Sequence, residues 1–121
     1  MNKMQLLHKI CNSYKLACEI IYFYERKKVS VKAIEKNRDI FLKVMTNNNI
    51  DVYPCILFHF FDSIGIKIVV NPIINTEFWG SKVYYNKEIL VSNEAISRGE
   101  ASLISLEIAM NIYNNKYKII K

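Results

Sequence analysis

Two pairs of side chains stand at spacings that can do chemistry. Cys55 and His59 lie at i and i+4, and His8 and Cys11 at i and i+3. On a helix each pair shares a face, and two such pairs supply the four nitrogen and sulfur donors that a structural zinc ion takes. Such sites usually set at least one pair on a tight knuckle, whereas both pairs here lie in apolar-rich segments that read as helix. Cys55 and His59 also have the types of a nucleophile and its base. A catalytic thiol needs an exposed, electropositive niche, and Ile56, Leu57, Phe58, Phe60 and Phe61 crowd this one. The expectation is buried thiols and satisfied imidazoles, with no metal and no cofactor. Only Gly65, Gly80 and Gly99 are glycines, too few for a phosphate-cradling loop, and no G-x-S-x-G or paired-carboxylate motif occurs.

Charge is the other chemical signal. The net +6 is unevenly placed: residues 1–49 hold ten cations against four carboxylates, and residues 50–121 hold seven of each. The densest run is Arg26, Lys27, Lys28, Lys32 and Lys36, directly after Tyr22, Phe23 and Tyr24. Aromatics among cations are the composition of a surface that stacks bases and neutralises phosphates. Three successive helical residues point in three directions, however, so these aromatics cannot form one platform. The field of such a patch steers any acidic surface. An acidic protein, alone or in a nucleoprotein complex, is therefore the expected partner, and nucleic acid the alternative. Phe78 and Trp79, at the start of a strand, are the second expected contact, since exposed aromatics make good interface anchors. Thirteen Asn in Lys- and Ile-rich surroundings point to an AT-rich coding background.

The elements that must carry these groups follow from apolar spacing. Met4, Leu7, Cys11, Tyr14, Cys18 and Ile21 recur at threes and fours, which predicts one long helix ending near Glu25. Ser30 reads as the N-cap of a second helix reaching about Met45. Pro54 opens a third, and Gly65 ends it. Ile66–Val70 reads as a strand, and the runs 78–85 and 89–92 around Asn86, Lys87 and Glu88 as a hairpin. Ala101, Ile104, Ile108 and Ile112 mark a closing helix, with Phe60, Phe61, Leu103, Leu106 and Ile108 expected in the core. The fold class is α+β: an N-terminal helical pair packed on a helix, a small antiparallel or mixed sheet with a hairpin, and a C-terminal helix. A basic helical part, 1–49, precedes an α/β part, 50–121, within one compact domain. The longest apolar run, Ile20–Tyr24, is far short of a membrane span. No signal-peptide core follows Met1, and three cysteines without framework spacing fit a reducing compartment. These features together predict a cytoplasmic protein.

The order helix, strand, hairpin, helix, carried by Gly65–Ile68, Lys82–Asn86, Ile89–Asn93 and Ser102–Met110, resembles the core of the ImmA/IrrE family of zinc metallopeptidases. That resemblance covers about residues 50–115. It implies a closing helix bearing H-E-x-x-H, whose two His bind zinc while the Glu serves as general base. Here the two His positions are Leu106 and Met110, and only Glu107 remains. A third ligand is implied beyond the second His, where this chain has no His, Asp, Glu or Cys. The resemblance thus implies a metallopeptidase-like domain without peptidase activity. With the AT-rich composition it points to phages and mobile elements, and to a regulator or inhibitor of a repressor or host defence system acting by protein contact.

Overall fold

A computed structural model of the chain describes residues 2–118, without the side chains of 90–92 and 116–118. Among the described residues the fold is α+β, with six α-helices and a three-stranded antiparallel sheet. The chain divides into two compact units, one formed by Met1–Pro54 with Tyr113–Lys121 and the other by Cys55–Ile112. Counted by unit, the charge separates further: thirteen cations against five carboxylates in the first, four against six in the second. No helix among the described residues is long and apolar enough to cross a membrane.

The first unit is helical. α1 (Lys3–Asn12) opens on a capping box, in which the Asn2 side chain accepts from the Gln5 amide and the Gln5 side chain from the Asn2 amide. α2 (Tyr14–Glu25) follows after a single residue, so the long helix expected from the spacing is interrupted at Ser13. The cause is competition for backbone groups. The Ser13 hydroxyl donates to the Lys9 carbonyl (3.3 Å) and accepts from the Asn114 amide (3.0 Å), while its backbone takes φ −89°, ψ 74°. The break re-phases the apolar stripe: α1 buries Leu6, Leu7, Ile10 and Cys11, and α2 buries Leu16, Ala17, Ile20 and Ile21.

The second expected helix is divided too, into α3 (Val31–Lys36) and α4 (Asp39–Asn47). Asn37 is extended, and its side-chain oxygen accepts from the Asp39 amide at 3.1 Å, an alternative to helix that Asn offers readily. α2 touches α1, α3 and α4, which makes it the central element of this unit.

A 3₁₀ turn at Pro54–Ile56, where the chain passes from the first unit to the second, leads into α5 (Leu57–Ser63), whose Leu57, Phe60 and Phe61 are buried. Gly65 stands at C′ with φ +86°, as its sequence position requires. A Cβ there would meet nothing within 4 Å, so Gly65→Ala carries the left-handed backbone penalty alone. That substitution is expected to cost about 1 to 2 kcal/mol, read as a lowered urea midpoint of Trp79 fluorescence; an unmoved midpoint would show that the turn can rearrange.

The sheet is a meander, β1 (Ile66–Pro72), β2 (Trp79–Tyr85) and β3 (Glu88–Ala95), in the order β1-β2-β3. β2 and β3 are joined by Asn86 and Lys87 alone, both at positive φ (53° and 66°), the two-residue turn whose twist matches the strands. The register shifts between Val83 and Tyr84, leaving a bulge at Leu90 of β3. Val83 and Ser81 face the buried side, and Lys67, Val69 and Lys82 face solvent. α6 (Arg98–Lys118) starts at Ser97, whose hydroxyl accepts from the Glu100 amide at 3.1 Å. Leu106, Ala109 and Met110 are buried, but Leu103 and Ile108, expected in the core, are only half-buried because they lie at the margins of that stripe.

Candidate functional site

The basic segment spans the end of α2, the link that follows and α3, all within the first unit. α2 closes on Arg26, which adopts the left-handed conformation (φ 57°) that helix ends usually give to Gly or Asn; its amide donates to the Tyr22 carbonyl at 2.9 Å. The Arg26 guanidinium lies 6.0 Å from the centre of the Tyr22 ring. Ser30 is extended, and its hydroxyl accepts from the Ala33 amide (3.1 Å), starting α3 as its sequence position predicts. Lys32 and Lys36 follow at i and i+4, on one face, and Lys36 occupies the last turn, where the helix dipole favours a cation. Arg26, Lys27, Lys28, Lys32 and Lys36 are all exposed. Two carboxylates lie close in sequence. Glu25 is half-buried and accepts from the Asn48 amide at 3.3 Å, which leaves Glu35 as the carboxylate exposed within the segment.

The neighbouring aromatics are differently disposed. Phe23 and Tyr24 are half-buried and meet edge-to-face, with centroids 4.9 Å apart and planes at 88°. Burial pushes the Tyr24 phenol up to about 12. Tyr22 is 45% exposed and is the one aromatic of the three at the surface.

Phe78 and Trp79 lie in the second unit, so the expected site residues fall into two groups, each described by itself. The loop from β1 to β2 is pinned by Thr76, whose hydroxyl donates to the Ile73 carbonyl (2.9 Å) and accepts from the Phe78 amide (3.1 Å). Phe78 is left 45% exposed. Trp79 is half-buried, and the Arg98 guanidinium sits 4.5 Å from its ring centre, so one face of the indole is already taken by a cation. Exposed Ile74 and Ile96 lie in loops at the same end of the sheet.

The sulfur and imidazole groups depart from expectation. Cys55, His59 and His8 are exposed, Cys18 is half-buried, and only Cys11 is buried. The helical phase explains it: α5 turns Leu57, Phe60 and Phe61 inward, and that rotation puts His59 outside. Among the described residues no group of three or more His, Cys, Asp or Glu could hold a metal ion. On α6, Leu106 and Met110 are buried and Glu107 is half-buried.

Two concavities had no counterpart in the sequence reading. One, of about 340 Å³, lies on the first unit among Lys15, Cys18, Glu19, Tyr22, Lys28 and Val29. The other, of about 390 Å³, lies on the second among Gly65, Lys67, Tyr84, Tyr85, Asn86 and Lys87. The i, i+4 pair Cys18 and Tyr22 carried half of the signal for the first, but its other wall comes from the α2–α3 link, whose path no periodicity describes. Compared with protein-family models, curated proteins and solved structures, the chain matches none.

Proposed function

We propose that this chain is a non-catalytic binding protein that engages an acidic protein surface through Arg26–Lys36. The carrying observation is the composition of that surface: five exposed cations within eleven residues, with two of the three neighbouring aromatics, Phe23 and Tyr24, half-buried and only Tyr22 at the surface. Phe23 and Tyr24 are folded onto each other, and Tyr22 has Arg26 near its ring. A platform for single-stranded nucleic acid uses several open aromatic faces beside its cations, whereas an acidic protein surface needs only complementary charge and an apolar contact or two. The chain acts by occupying its partner's surface, as a regulator or inhibitor does. The resemblance to metallopeptidases without their zinc ligands supports the same reading, since buried Leu106 and Met110 offer no donor suited to zinc.

Capture from a lysate of the source organism, with and without nuclease, tests it. The expected result is an acidic protein, identified by mass spectrometry, that the wild-type chain retains after nuclease treatment and that leaves in high salt. Material released by nuclease alone would overturn protein contact and make nucleic acid the partner.

A further inference from the structure

The basic segment borders a shallow, open recess. Cys18 and Tyr22, one turn apart on α2, line the 340 Å³ recess together with Lys15 and Glu19 of the same helix and Lys28 and Val29 of the link. Cys18 is half-buried and Tyr22 is 45% exposed, so the recess is largely apolar yet open. Lys28 belongs to the same run of cations that continues through Lys32 and Lys36. An apolar recess bordered by ammonium groups is complementary to an apolar side chain flanked by carboxylates. Hydrophobic burial then supplies affinity, and charge supplies steering and register. Glu19, also in the lining, sets one anionic point there against two cationic ones, Lys15 and Lys28, so flanking carboxylates are accommodated beside the lysines.

We infer that the recess between α2 and the α2–α3 link is an anchor pocket for an acidic segment of the partner carrying one aromatic or large aliphatic residue. This inference rests on the reading of Arg26–Lys36 as an acidic-protein surface and adds a sequence requirement to it. It also gives Cys18 a place inside the contact. Burial, and then the Glu19 carboxylate, push that thiol upward, so at neutral pH it stays protonated and serves as a small apolar lining group, open to alkylation only slowly and at higher pH.

Two fluorescein-labelled peptides test the pocket on the full-length chain, one of thirteen Glu and one with Phe replacing the central Glu. At about 0.15 M salt, where long-range attraction is cut to roughly 8 Å, the Phe peptide is expected to bind about tenfold more tightly, equivalent to about 1.4 kcal/mol. Alkylation of Cys18 by iodoacetamide at mildly alkaline pH, read by peptide mass spectrometry, should slow when the Phe peptide is bound and not when the all-Glu peptide is bound. Exposed Cys55, in the other unit, is the internal reference and should be unaffected by either. Tyr22→Ser removes the aromatic wall and should erase the tenfold preference while leaving all-Glu binding in place. Equal affinities with Cys18 unprotected would overturn the pocket and leave the acidic-surface reading standing. Binding of neither peptide would overturn both.

Discussion

Leu106→Ala should lower the stability of the second unit by about 2 to 5 kcal/mol, the range for truncating a fully buried Leu whose surroundings cannot close over the gap. Leu106 is 0% exposed on α6, and a domain's whole stability is only about 5 to 15 kcal/mol. Trp79 is the one tryptophan in the chain and lies in that unit, so its fluorescence reports this transition without contribution from the helical unit. Leu103→Ala, at a half-buried neighbour on the same helix, is the control and should cost less than half as much. A fluorescence midpoint that Leu106→Ala leaves in place would mean that the buried face of α6 has been wrongly assigned. Because the chain has two units, far-UV circular dichroism and fluorescence need not coincide, and only the latter is expected to carry the full shift.

Reversing Lys28, Lys32 and Lys36 to Glu should abolish most binding to an acidic partner. The change of six charges falls within one exposed segment, and association should slow by an order of magnitude or more, because exposed charges act mainly on encounter. The same reversal at Lys67, Lys82 and Lys87, in the unit where carboxylates already outnumber cations, should have a small effect. Stopped-flow association with an all-Glu peptide at several salt concentrations measures both. The wild-type rate should fall steeply with salt and the first variant's should not. Equal effects from the two triple variants would show that net charge, rather than the Arg26–Lys36 surface, governs binding. All six substitutions are at exposed positions, so folding should be retained.

Features governed by local chemistry were legible in the sequence. Ser30 caps a helix because its hydroxyl reaches the Ala33 amide, Gly65 ends one because the backbone there must turn left-handed, and the β2–β3 hairpin turns at Asn86 as expected, one residue shorter because Glu88 already belongs to β3. The exposure of the five cations was equally legible, since solvated charge needs no tertiary information. Both helix breaks were not, because Ser13 and Asn37 fit a helical spacing and interrupt it only through side-chain bonds to the backbone. The apolar neighbours of Cys55 and His59 suggest burial, whereas the phase set by Leu57, Phe60 and Phe61 turns His59 outward. The recess beside Lys28 needed the path of a link that carries no periodic signal.

Among the described residues β3 pairs with β2 alone, and its open edge bears on self-assembly. Two chains laid antiparallel about Val91 would set Glu88 of each against Glu94 of the other, like charges directly across a strand pair, which is destabilising. The bulge at Leu90 adds local twist and breaks the flat run that edge-to-edge stacking requires. Growth of cross-β fibres from this edge is therefore opposed by the strand's own side chains and by its bulge.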